Sequence, residues 1–270
     1  MEGRREAGVM AGTARSGRLP LSRSRALTID VVHYHRRVPT CAHDRFCDLR
    51  KIAELRERLP VRISWALLFI KAYGMVAAEC PVLRDAWQRW PWRHVYRHPH
   101  SVAMVAIHRE FRGEPWLFWG RFDKPEKTPL VNLQARLDRY HAEPPEQVFR
   151  QQWLLSGLPT PARRLLWWWN LNFAGSKRAK RMGTFFLTTL AGRGAEIQHP
   201  PAFLTGNLTY GPLDAAGRSR VTLAYDHRLM DGRLVADCLA GIESKLTGPI
   251  ASELEGLRGQ AGVSRVEDAA

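Results

Sequence analysis

The sequence predicts a single mixed α/β sandwich, on three observations. Stretches with strand character recur through the chain, from Ser101 to His108, Glu114 to Phe122, Thr184 to Leu190, Ala202 to Tyr210 and again from Val221. Helical periodicity occupies other stretches that do not alternate one for one with those strands, as a barrel or a dinucleotide-binding fold would require. Finally, 45% hydrophobic residues over 270 positions suffice for one ordinary core, and no internal repeat or Pro/Ala-rich linker divides the chain.

Taken in order, residues 1–24 are rich in Arg, Gly, Ala and Ser and read as a flexible basic tail. Leu27 to His35 supports a short helix or a strand, and the run from Val38 through Phe46 a strand. Asp48 to Leu59 is an amphipathic helix closed by Pro60, with Leu49, Ile52, Leu55 and Leu59 on its apolar face. Ser64 suits the N-cap of a second helix, Trp65 to Glu79, which is apolar nearly all round and therefore buried. The segment through Trp87, Trp90 and Trp92 to Tyr96 is aromatic and basic, with turn signals at Pro91 and Pro99. Arg112-Gly113 joins the two middle strands as a hairpin, and Val131 to His141 and Glu146 to Leu155 are compatible with helix.

Between Pro161 and Arg181 the run Trp167, Trp168, Trp169 is bracketed by Arg163 and Arg164 on one side and by Lys177, Arg178, Lys180 and Arg181 on the other. Such a segment is either a helix packed on one side with snorkelling basic side chains, or a membrane-interface or acyl-tunnel element. Residues 25–250 hold all of these elements and form the expected domain; residues 251–270 read as a flexible C-terminal tail.

Lys and Arg number 41 against 26 Asp and Glu, a formal charge of +15. That excess suits an anionic partner such as a phosphate-rich cofactor, a phospholipid surface or nucleic acid. No zinc-finger spacing, Gly-rich phosphate loop or aromatic RNA-binding signature favours nucleic acid. Cys41, Cys47, Cys80 and Cys238 form no Cys-x-x-Cys pair and suit a reduced, cytoplasmic protein, with contact at the inner face of the membrane as an option. The N-terminus lacks the ~7–15-residue apolar run of a secretory signal. His94, His98 and His100 lie in a basic loop without the carboxylate or cysteine company of a metal site, so no metal is expected.

Val221 to Gly232, VTLAYDHRLMDG, is the stretch with the most chemical content. Val221, Leu223 and Tyr225 alternate with Thr222, Ala224 and Asp226 as in a strand, and Leu234, Val235, Cys238, Leu239, Ile242 and Leu246 then recur at helical spacing. His227 thus sits where a strand gives way to a helix, a place from which a side chain reaches into a cleft. Imidazole titrates near neutral pH and suits a general base. Asp231, four residues on, is a candidate third member of a triad, and Arg228 an ion-pair residue.

These residues resemble a known family. YDHRLMDG is similar to the His-Arg-x-x-Asp-Gly signature of the dihydrolipoamide acyltransferases, the catalytic subunits of 2-oxo acid dehydrogenase complexes, and of the related chloramphenicol acetyltransferases. In the same order, FCDLRKIAELR, ISWALLFIKAYGMVAAECPVLRDAW, GTFFLTTLAG and HPPAFLTGNLTYG resemble further blocks of that family, across residues 25–250. The resemblance implies a chloramphenicol acetyltransferase-like two-layer sandwich with a mixed sheet, assembled as a homotrimer. The active site would lie between subunits, with coenzyme A and an acceptor entering a channel from opposite ends.

His227 would be the base, and Thr188 would replace the family serine that donates to the oxyanion, although a one-residue slip would exchange Thr188 for Thr189. The family aspartate matching Asp231 holds its turn by pairing with an arginine, for which Arg36 and Arg37 are candidates here, and Gly232 marks a sharp turn without room for a Cβ. The chain lacks room before residue 25 for the lipoyl and subunit-binding domains of the complex subunits. The expected activity is therefore transfer of an acyl group from an acyl-CoA to a hydroxyl, amine or thiol acceptor. Alternatives are a catalytic subunit served by a separate lipoyl protein, and a non-catalytic trimeric scaffold or membrane-associated binding protein.

Overall fold

The computed structural model of the protein describes Arg18 and residues 20–267. Ahead of the first helix, Arg23 is fastened down: it donates to the Ser156 hydroxyl at 3.0 Å and to the Trp153 carbonyl at 2.5 Å, with its guanidinium 3.4 Å above the Trp153 ring. The expected tail therefore ends before Arg23, and most of it, residues 1–17 and 19, lies outside the described residues. Helix α1 (Ala26–His35) follows, then strand β1 (Thr40–Asp48), α2 (Arg50–Glu57) and the buried α3 (Trp65–Glu79). Ser64 holds the N-cap position of α3 with extended backbone, yet its hydroxyl makes no capping bond. Its N–H donates instead to Gln134 Oε1, 2.8 Å away.

A hairpin, β2 (Asp85–Gln88) and β3 (His94–Arg97), occupies the Trp-rich stretch that reads as loop in the sequence. β4 (Val102–Phe111) and β5 (Glu114–Asp123) are joined by Arg112 and Gly113, at φ 55° and 74°. Two consecutive positive φ values match the right-handed twist of the strands they join. The helices α4 (Leu130–Ala142), α5 (Pro145–Val148), α6 (Arg150–Ser156), α7 (Thr160–Asn172) and α8 (Ser176–Met182) then lead into β6 (Phe185–Thr188), β7 (Gly206–Tyr210), β8 (Arg218–Asp226) and α9 (Gly232–Lys245).

The residues expected to form a flexible C-terminal tail instead continue, through one π-helical turn at Leu246–Ile250, into α10 (Ala251–Glu267). Ile250, Ala251 and Leu254 are fully buried. Glu253 lies 2.5 Å from the Lys71 ammonium and accepts the Leu130 N–H at 2.7 Å. Lys71 is itself buried within α3, and an unpaired buried ammonium would be costly, so the carboxylate of α10 belongs to the core.

Six strands form one mixed sheet in the order β1-β8-β7-β6-β4-β5. β6 runs parallel to both of its neighbours and the other pairings are antiparallel. Side chains alternate between faces. Phe185, Leu187, Leu208, Val221, Leu223 and Tyr225 point into the main core with α3 and α9, and Met104 and Phe186 point the other way, into a smaller cluster. Val31 and Tyr34 of α1, Trp167 of α7, Phe203 and Leu204 complete that cluster. Trp167 stacks on Tyr34, ring centroids 5.5 Å apart, and α7 is tied to α1 by a buried ion pair between Arg163 and Asp30.

Candidate active site

β8 loses its partners at Asp226, and backbone bonds take over. The Asp226 N–H donates to the Thr205 carbonyl at 3.0 Å, and the His227 N–H to the Pro39 carbonyl at 2.9 Å. The chain then folds back, with the Leu229 and Met230 N–H groups both reaching the Asp226 carbonyl, at 3.0 and 3.3 Å. This turn brings the Met230 carbonyl to 2.9 Å from Nδ1 of His227. A carbonyl oxygen only accepts, so the contact places the proton on Nδ1 and leaves the Nε2 lone pair outward, on an exposed side chain. The imidazole is thus oriented by backbone alone. The Tyr225 ring meets it edge-on at 5.8 Å, and burial pushes the Tyr225 phenol above its usual range.

Asp231 is the N-cap of α9: its Oδ1 accepts the Leu234 N–H at 2.9 Å. It caps the helix and pairs with no arginine among the described residues, Arg36 and Arg37 included. Nor does it hold the His227 ring, since Nδ1 is taken by Met230. The arginine of the motif pairs one turn earlier. Arg228 grips the buried Asp226 with two hydrogen bonds, of 2.8 and 2.6 Å, and its guanidinium lies 5.1 Å over the Trp87 ring of β2. Gly232 has no positive φ; a Cβ there would meet the His43 ring at 3.0 Å, so close packing and not turn geometry accounts for the glycine.

Thr188 ends β6 on the same face as Phe186, with Leu187 on the other. Its hydroxyl makes no hydrogen bond among the described residues. The Thr189 hydroxyl is committed, donating to the Tyr210 carbonyl at 2.8 Å and accepting the Ala191 N–H at 3.0 Å. Of the two threonines, Thr188 has the hydroxyl free to act. It does not meet His227 in the same chain. Thr188 pairs with Thr209, and Thr209 with Thr222, five residues before His227 on β8. At ~3.3 Å per residue and ~4.8 Å per strand, the two sites lie roughly 17 Å apart along the strands and 10 Å across them.

Behind the turn lies a polar cluster that sequence reasoning missed. Arg178 of α8 is buried, reaches the Trp87 and Leu171 carbonyls at 3.4 and 3.3 Å, and is pulled down to about 10 by burial, against the raising field of Asp226. His98 lies in the interior and not in an open loop; burial first, and Arg178 next, hold it down to about 4. No spacing in the sequence signals either residue, because both are brought to β8 by the β2–β3 hairpin and the α7–α8 turn.

No family model and no curated protein sequence matches the chain. Solved structures do. The dihydrolipoamide acetyltransferase of Azotobacter vinelandii superposes with a TM-score of 0.63 at 14% identity, over 92% of this chain and 98% of that one. The fold is that of a dihydrolipoamide acyltransferase catalytic core. The truncated catalytic core of the 2-oxoacid dehydrogenase complex from Thermoplasma acidophilum gives a TM-score of 0.62 at 14% identity, over 87% of this chain and 99% of that one. A probable dihydrolipoamide acetyltransferase from Listeria monocytogenes gives 0.59 at 15% identity, over 86% and 94%. The acyltransferase-core fold thus spans nearly the whole length of these cores, and it accounts for the mixed sheet and the helix layer that α3 and α9 supply.

Proposed function

We propose that the protein transfers an acyl group from a coenzyme A thioester to a hydroxyl, amine or thiol acceptor, at sites shared between neighbouring copies in a homotrimer. The observation that carries this reading is the exposed His227, whose Nδ1 is bound by the Met230 carbonyl and whose Nε2 is left as a proton acceptor at the end of β8. In this reading Nε2 removes the acceptor's proton as the acceptor attacks the thioester carbon. The carbonyl oxygen becomes an oxyanion, and the Thr188 hydroxyl of the adjoining copy donates to it. Collapse re-forms the carbonyl, breaks the carbon–sulfur bond and returns the proton from His227 to the departing thiolate. Asp231 holds the turn as a helix cap, and the Asp226–Arg228 pair stiffens the end of the strand. The basic surface suits the phosphates of coenzyme A.

Incubation of the purified protein with acetyl- and longer acyl-CoA thioesters and a panel of acceptors, followed by thiol release, tests the reading. His227→Ala is expected to lower the rate by ~10²–10⁴-fold. Equal rates for the two proteins would refute the assignment of the base.

A further inference from the structure

α7 buries one side and exposes apolar residues on the other. Trp167 fills the smaller core cluster, whereas Leu165 and Trp169, four residues apart, are 62% and 53% exposed, with Leu166 and Phe173 exposed beside them. The Trp169 ring stacks on Phe173 at 5.0 Å, so this stripe is already ordered. The tip of the β2–β3 hairpin extends it with Trp90 and with Trp92, which is 70% exposed. Trp90 lies 6.4 Å from the Trp168 ring, and a Cβ on Gly175 would stand 3.8 Å from Tyr96, so helix turn and hairpin pack together as one surface.

The charge that α7, α8 and the hairpin tip themselves carry is of one sign. Residues 86–109 and 147–195 contain no Asp or Glu. Arg89, Arg93, Lys177, Lys180 and Arg181 are exposed there, and none has a carboxylate partner among the described residues. Elsewhere exposed arginines are in part paired, as in Arg50–Asp48, Arg139–Glu143 and Arg218–Asp214, and in part unpaired among the described residues, as at Arg58, Arg62 and Arg233; what sets this surface apart is its stretch of chain without a carboxylate. Exposed Trp, Leu and Phe beside unpaired cations match the headgroup region of a bilayer, where an indole keeps its N–H in the wet layer and cations meet lipid phosphates. A second copy presenting the same surface would set like charges against each other. No helix among the described residues is long and apolar enough to cross a membrane, so attachment would be at the surface.

We propose that this end of the molecule, α7 with the β2–β3 hairpin tip, docks on an anionic lipid bilayer. The proposal stands whether or not the acyl-transfer reading holds. Flotation of the full chain with vesicles of phosphatidylcholine, alone or with about 30 mol % phosphatidylglycerol, tests it. The expected result is recovery with the anionic vesicles, weakened by salt and reduced at least tenfold in Leu165→Glu/Trp169→Glu, in Trp92→Glu and in Lys177→Glu/Lys180→Glu/Arg181→Glu. Unchanged melting temperatures would show that these variants fold, and Trp92→Glu, on a loop tip, leaves the core untouched. Absence of flotation by the wild type, or equal flotation by all variants, would overturn the proposal. So would a wild type that ignores vesicles while Leu165→Glu/Trp169→Glu changes its mass in light scattering, which would make the surface an interface between copies of the chain.

Discussion

Two inactive variants should restore each other's activity when they assemble together. In one chain the register from Thr188 through Thr209 to Thr222 keeps Thr188 and His227 roughly 19 Å apart, whereas base and oxyanion donor must both reach one thioester. In the proposed mechanism a working site therefore takes His227 from one copy and Thr188 from its neighbour. His227→Ala alone should lose ~10²–10⁴ in rate. Thr188→Val, which keeps the branched shape and deletes the hydroxyl, should lose ~10²–10³.

When the two variants are co-expressed in equal amounts and assemble at random in a closed ring, an intact site needs the His227-bearing chain on one side and the Thr188-bearing chain on the other. That occurs at about one quarter of sites, so the mixture should run at about one quarter of the wild-type rate, far above either variant alone. A second mixture sharpens the test. Wild type co-expressed with the His227→Ala/Thr188→Val double variant should also give about one quarter for a shared site, but about one half for a site within one chain. The assay is thiol release from acyl-CoA, with differently tagged chains purified in tandem to select mixed oligomers. These fractions hold before selection; among mixed rings of three the first rises to about one third and the second falls to about one sixth for a shared site, while a site within one chain stays at about one half, so the rate is read before and after selection. A first mixture no faster than its components, or a second near one half, would refute the shared site.

Three further outcomes follow from buried groups. His98 is neutral inside the fold and held down to about 4 by burial and Arg178, so the unfolded chain binds its proton more tightly. Its contribution is complete above the ordinary histidine range near 6.5 and is lost as pH falls toward 4, up to about 3 kcal/mol in that window; urea melts should show stability falling between those limits, with a shallower fall in His98→Leu. Asp30→Ala would leave the Arg163 guanidinium buried without its carboxylate, at a cost of about 3–5 kcal/mol, read as a lower urea midpoint. Asp30→Ala/Arg163→Met should recover part of the loss, and no recovery would show that the pair is not its source. Gly183, just before β6, has φ 81°, and a Cβ there would lie 3.1 Å from the Val102 carbonyl. Gly183→Ala should destabilise by ~1–3 kcal/mol and shift β6, lowering turnover more than Thr189→Ser does.

What could be read from the chain and what could not divides by the range of the interaction. The end of β8 and the start of α9 are legible because period-2 alternation stops at Asp226 and helical spacing begins after Asp231, whose carboxylate caps the helix it precedes. The buried α3 is legible for the same reason, since its composition states its burial. The partner of His227 is not, because Nδ1 binds a main-chain carbonyl and any residue at position 230 has one. α10 reads as a tail because its anchor, Glu253 against Lys71, joins elements far apart in the chain.

The three tryptophans of α7 show how a sequence can pose a choice that the helix dissolves. Successive residues turn by ~100°, so Trp167 and Trp169 face nearly opposite directions. One is therefore core, against Tyr34 and Phe203, and the other open surface. A packed side and an exposed aromatic side thus coexist on α7, and the membrane proposal concerns only the second. The same geometry bears on the candidate site: Thr188 and His227 carry the residue types that acyl transfer requires, but their separation is set by strand register, and it is on register that the proposal of a second copy at the site rests.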